Sequence, residues 1–278
     1  MWIRPRFHCI SFYQRLVTQD LRARLLRGDL LLGTLLSFPS PEVAELLGDI
    51  GFDWLFVDGE HGPFDARELL AVMRAAGRTP CLVRVPPQHD AAIARALDAG
   101  AAGIIAPQVH SAAQAAHVAA LAHYPPAGKR GVGIARASGY GRRIRDYVAG
   151  ANEVITVVVQ AESAQAVDDI EAIALVPGVD AVLVGPNDLA ASLGHPGRSD
   201  HPAVRAAIER IVDVCTAASR QVGIFGMNAE AVQPWIERGA TLVVAGVDAV
   251  MLGNAAQGML TALQGLSRSA APARADGS

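Results

Sequence analysis

In the stretch FDWLFVDGEHGPFD, residues 52–65, an apolar run over 54–57 breaks directly into Asp58, Glu60 and His61, with glycines at 59 and 62. Two acids and an imidazole are groups that take, hold or return a proton, and charge at the end of a buried segment is costly unless it is paired or used. Arg84 stands inside CLVRVP, while the other apolar runs of the chain carry almost no charge. A buried guanidinium requires an anion beside it. A structural ion pair with Asp58 or Glu60 meets that need, and so does anion binding. Glu162 in QAES and Asp188 in GPNDLAASLG each end an apolar run and open an amphipathic segment. Two carboxylates completed by waters are the usual protein share of an octahedral Mg²⁺ or Mn²⁺ site. The competing readings are a helix N-terminal acid for Asp188 and a solvated first-turn residue for Glu162.

These residues need elements to position them. Short apolar runs occupy 31–37, 54–58, 81–85, 103–107, 154–160, 181–185, 222–226 and 241–246. Helix-like, alanine-rich segments lie between them at 41–50, 65–76, 89–98, 111–122, 163–174, 201–218 and 229–238. Near-continuous apolar strands alternating with helices indicate a parallel sheet covered on its faces. Eight such units predict an α/β fold, a single-domain (β/α)8 TIM barrel over residues 21–264. A doubly wound open sheet is the alternative, but no GxGxxG follows the first strand. Active sites of barrels lie at the C-terminal ends of the strands. Those ends carry Asp58, Glu60 and His61, then Arg84, then Gln160 and Glu162, then Asn187 and Asp188.

Composition excludes several classes. With 278 residues, 51% of them hydrophobic, the chain can bury a large core, and a formal net charge of −3 gives no footprint for nucleic acid. No apolar run approaches the roughly 20 residues of a membrane span. Cys9, Cys81 and Cys215 are odd in number and widely spaced, which fits a reducing cytoplasm rather than a disulfide framework. Residues 1–20 are expected to be a poorly ordered extension and 265–278 a disordered tail. The sole lysine, Lys129, lies in YPPAGKRGVG, away from any strand end, so no strand-borne lysine is available for a Schiff base. Any carbonyl polarisation then falls to a metal.

The segments LLGTLLSFPSPEVAELLGDIGFDWLFVDGEHGPFD, LVRVP, LDAGAAGIIAPQV, YPPAGKRGVG, QAES and GVDAVLVGPNDLAASLGHPG resemble the HpcH/HpaI aldolase family, in its order and approximate spacing over residues 30–264. The resemblance implies a class II aldolase dependent on a divalent metal (Mg²⁺, Mn²⁺ or Co²⁺) that reversibly cleaves a 4-hydroxy-2-oxo acid to pyruvate and an aldehyde. It implies Glu162 and Asp188 as metal ligands, Arg84 as the residue that binds the pyruvate oxygen and stabilises the enolate, and His61 as the acid/base residue, oriented or tuned by Asp58, with Asp58 or Glu60 holding its ring tautomer. It further implies Gln160 near the pyruvate carboxylate, helped by backbone N–H groups around Gly185, Pro186 and Asn187, although Pro186 has none to give. Asp98 in LDAG matches an acid that in the family enters the neighbouring subunit's site, and a homo-oligomer, commonly a hexamer, is implied. An acyl-CoA lyase of the related citrate-lyase branch would share the metal and arginine but needs a basic surface for nucleotide phosphates. A non-catalytic barrel would leave the rim residues incidental.

Overall fold

The computed structural model describes residues 21–87 and 90–269; the expected extension over 1–20, His89 and the last nine residues of the expected tail lie outside them. Eight parallel strands close into a barrel: β1 (Leu31–Leu36), β2 (Trp54–Asp58), β3 (Cys81–Arg84), β4 (Gly103–Ala106), β5 (Thr156–Ala161), β6 (Ala181–Val184), β7 (Gln221–Gly226) and β8 (Leu242–Val247), with β8 pairing back onto β1. The strands read as unbroken apolar runs because both faces are covered.

Their two-residue period sorts side chains between two cores. Leu31, Leu35, Trp54, Phe56, Leu82, Ile105, Val158, Leu183, Leu242 and Val244 fill the barrel interior. Leu55, Val57, Val83, Ile104, Val157, Val159 and Val182 pack outward against the helices. Continuing the inward series by one step places Asp58 beyond Phe56, Arg84 beyond Leu82, and Gln160 then Glu162 beyond Val158. The polar residues therefore cap the apolar interior at its C-terminal end. At the opposite end a short helix, Leu21–Leu26, inserts Leu21 and Leu25 into the interior cluster. Arg22 bonds Asp180 at 3.0 Å and Arg24 bonds Asp53 at 2.7 Å, which ties that plug to two loops.

The helical layer departs from the sequence reading at four places. The segment 163–174 divides into Ala164–Asp168 and Ile170–Ala174 at Asp169, whose backbone leaves the helical region at φ −100° and ψ 12° and whose carboxylate accepts the Ala112 N–H at the start of helix Ala112–Ala122. Additional helices form at Ile144–Val154 and at Pro186–Ser192. Helix Asp248–Ser269 runs five residues beyond the expected barrel boundary at 264. Only its first residues pack: Asp248 is buried and accepts N–H groups of Ser37 and Phe38, closing the β8 to β1 seam. From Val250 to Leu266 every residue is exposed, among them Leu252, Met259, Leu260 and Leu263.

Candidate active site

The barrel register makes Asp58 and Arg84 direct partners on β2 and β3. The Arg84 fork closes on Asp58 bidentately, Nε to Oδ1 at 2.9 Å and Nη2 to Oδ2 at 2.8 Å, and its Nη1 lies 3.2 Å from Glu60 Oε2. Burial alone would lower the Arg84 pKa, but Asp58, Glu60 and Glu162 outweigh it and hold the guanidinium above its ordinary value. The turn carrying Glu60 and His61 folds over this pair. Its N–H groups at Glu60 and His61 both donate to Asp58 Oδ1 at 3.2 Å, and a Cβ on Gly59 would come within 2.7 Å of the Arg84 carbonyl oxygen. Glycine is the residue that lets the turn lie this close.

Of the two acids expected to orient His61, Asp58 has its first partner elsewhere. Its carboxylate is occupied by Arg84 and by the turn backbone, and the acid nearest the His61 ring is Glu60, with Oε2 3.9 Å from Nε2. Strand register explains the difference: Asp58 points into the barrel beside Arg84, while His61 lies three residues on, with its side chain 69% exposed.

Across the mouth, Glu162 and Gln160 continue β5. Gln160 Nε2 donates to Glu162 Oε2, and the N–H of Gln108, just past β4, donates to Glu162 Oε1 at 2.7 Å. Gln160 Oε1 is buried without a partner. A Cβ on Gly185 would sit 2.7 Å from Gln160 Nε2 and 2.8 Å from Glu162 Oε2, so β6 also delivers a glycine where the site is tightest. Gly185 caps helix Pro186–Ser192, whose first i to i−4 bond is Leu189 N–H to Gly185 O; the N–H groups of Asn187 and Asp188 precede it. Asp188 is exposed at the rim, near enough to act electrostatically on Glu162 and Glu60.

Burial pushes Glu162 up to about 7, with Asp188 and Glu60 adding to the rise against the Gln108 N–H and Arg84. Glu60 is raised in the same way, by burial first, against Arg84 and His61. Three carboxylates, Asp58, Glu60 and Glu162, thus act on one guanidinium, and a fourth, Asp188, acts on Glu60 and Glu162. Among the described residues no three His, Cys, Asp or Glu side chains form a closed metal cage. The hard oxygen donors Glu162 and Asp188 on adjacent strand ends, with surplus negative charge, suit a divalent cation that takes its remaining ligands from water and substrate.

The other expected residues fall elsewhere. Asp98 forms an ion pair with Arg130 of its own chain at 2.8 Å, and Arg130 is held between the rings of Tyr124 and Tyr147. Lys129 reaches His117, not a strand end. Sequence reasoning passed over Gln108, whose only signal was its place directly after the fourth apolar run, where barrel chemistry collects.

Residues 33–255 match the HpcH/HpaI aldolase/citrate lyase family. A hydroxypyruvate/pyruvate aldolase of Paraburkholderia phytofirmans is 42% identical over 84% of this chain and 94% of its own length. A 4-hydroxy-2-oxovalerate aldolase of Rhodococcus jostii is 41% identical over 82% and 89%. The crystal structure of an HpcH/HpaI aldolase/citrate lyase family protein from Burkholderia cenocepacia superposes with a TM-score of 0.85 at 39% identity, covering 88% of this chain and 99% of that one. The fold is a closed barrel with an acid-lined mouth, and this chain belongs to the HpcH/HpaI aldolase/citrate lyase family. Within that family it is a class II aldolase, an aldehyde-lyase.

Proposed function

We propose that the protein is a divalent-metal-dependent aldolase that reversibly cleaves a 4-hydroxy-2-oxo acid to pyruvate and an aldehyde. The observation that carries this reading is the buried Arg84 fork set among carboxylates that no second cation among the site residues balances. Glu162 and Asp188 would hold the cation, which when bound supplies Lewis acidity toward the oxygens of the 2-oxo acid. Arg84 keeps one N–H on each terminal nitrogen beyond its bonds to Asp58 and Glu60, and these donate to the oxygen on which negative charge develops. Gln160 keeps a second amide N–H for the substrate carboxylate. His61, exposed at the mouth with Glu60 beside its ring, takes the proton of the C4 hydroxyl as the C3–C4 bond breaks.

The half-reaction with pyruvate alone tests this. In D₂O with Mn²⁺, the methyl protons of pyruvate are expected to exchange, and EDTA is expected to stop the exchange. His61→Ala should lower cleavage of a 4-hydroxy-2-oxo acid by about 10²-fold or more, and exchange by much less. Full activity of His61→Ala in both directions would remove that residue's assigned role, and no exchange with Mg²⁺, Mn²⁺ or Co²⁺ would remove the reading.

The working form we propose is a homo-oligomer, a hexamer as the family resemblance implies, in a reducing cytoplasm where Cys81 and Cys215 stay as buried free thiols. Support comes from helix Asp248–Ser269, which holds Met259 63% exposed and Leu263 54% exposed on one stripe. A second copy of the barrel is the surface that would cover it. Light scattering is expected to give a multiple of the 29.0 kDa chain, and Met259→Glu with Leu263→Glu a smaller species. A monomeric wild type would contradict this.

A further inference from the structure

We propose that Gln108 is a positioning residue of this site: its left-handed backbone aims its N–H at Glu162 and sets the direction in which that carboxylate faces the barrel mouth. Gln108 has φ +54°, one of three non-glycine residues with positive φ among the described residues. That conformation costs an L-residue roughly 1–2 kcal/mol and persists only where the surroundings impose it. Here they do so on both sides. Pro107 precedes it, Val109 is 3% exposed, and His110 is fixed by its ring Nδ1 to Ser163 Oγ at 2.8 Å and by its N–H to Gln114 Oε1 at 2.7 Å. The loop after β4 is therefore fastened to the end of β5 at two successive residues, Glu162 through Gln108 and Ser163 through His110. Between these fastenings, the left-handed turn is what presents the Gln108 N–H to Glu162 Oε1. The Gln108 side chain does less: Nε2 lies 3.5 Å from Glu60 Oε1, at the limit of a hydrogen bond. The effect belongs to the backbone.

This inference rests on the reading of Glu162 as a cation ligand, and a substitution series separates the two. Gln108→Gly and Gln108→Asn adopt the left-handed conformation readily and Gln108→Ala keeps the N–H without the amide, whereas a β-branched Gln108→Val is driven out of that conformation. Gln108 borders a cavity of about 420 Å³ lined also by Ala113, Gln114 and Val118, so valine there meets no steric block. Mn²⁺ affinity, read by electron paramagnetic resonance on the metal alone, is expected to stay within about 3-fold of wild type for Gly, Asn and Ala and to fall about 10-fold or more for Val, the range seen when an outer partner of a ligand is lost. A second readout needs no change at 108. The Gln108 amide should be protected from hydrogen exchange and should exchange at least about tenfold faster in Glu162→Ala. Equal Mn²⁺ affinity across the series, equal losses in Ala and Val, or unchanged amide exchange would each overturn the role of Gln108 while Glu162→Gln still weakens Mn²⁺. An unchanged affinity in Glu162→Gln would overturn the ligand reading and this inference together.

Discussion

Glu162→Gln combined with Asp188→Asn is expected to leave a folded barrel that releases pyruvate at least about 10³-fold more slowly, the several kcal/mol of charge stabilisation a bound cation provides. Both changes keep side-chain volume, so the fold has little reason to suffer. Stability should move the other way. Burial raises Glu162 from 4.5 to about 7, so its ionised form is disfavoured in the folded state. For an acid with a raised folded pKa, that contribution is favourable below about 4.5 and is lost as pH rises through about 7. In EDTA at pH 8, Glu162→Gln should therefore melt higher than wild type and lack the wild type's decline between these pH values. The gain in stability against the loss of turnover is the expected sign of a residue kept for chemistry. A variant that melted lower and kept its turnover would place Glu162 among structural acids.

Arg84→Met is the second large effect, and it decides between an ion pair kept for the fold and one kept for the reaction. Removing the guanidinium leaves Asp58, 4% exposed, without its bidentate partner, and breaking a buried pair in this way costs about 3–5 kcal/mol. Turnover should fall by about 10²–10³-fold, as when one preorganised donor to a developing negative charge is lost. Adding Asp58→Asn to Arg84→Met removes the orphaned charge and should return most of the urea midpoint. It should return none of the activity. Recovery of both in the double variant would make the pair structural only. Arg84→Lys is expected to resemble Arg84→Met in turnover, because an ammonium cannot span Asp58 and Glu60 together as the fork does.

The barrel was legible because its strands are buried on both faces: eight apolar runs separated by helical segments admit few architectures, and WLFVD begins and ends where β2 does. Of the candidate site, the placement of Asp58, Arg84, Gln160 and Glu162 at the barrel mouth was legible through their strand-end positions, since a two-residue period from Phe56, Leu82 and Val158 points them inward. The partner of each group was not. Whether Asp58 serves His61 or Arg84 depends on the β2 to β3 register, which pairs Asp58 with Arg84 and is written in no single strand. Gln108 was missed because its contribution is an N–H aimed by a positive φ, and a backbone donor leaves no mark on residue type. Asp98 illustrates the opposite limit: its motif is plain, yet in this chain its carboxylate meets Arg130. The last helix was assigned no place because its apolar stripe faces outward, a pattern that intrachain packing does not explain.

Pyruvate release from 4-hydroxy-2-oxo acids of increasing chain length, measured first in EDTA and then with Mg²⁺, Mn²⁺ or Co²⁺ restored, tests the central claim most directly. Release that is absent in EDTA, returns with the metal and ranks the acids by their aldehyde portion is the expected result. Release undiminished by EDTA would contradict the metal-dependent reading, and no release from any of these acids despite tight Mn²⁺ binding would turn the assignment toward acyl-CoA substrates of the citrate lyase branch.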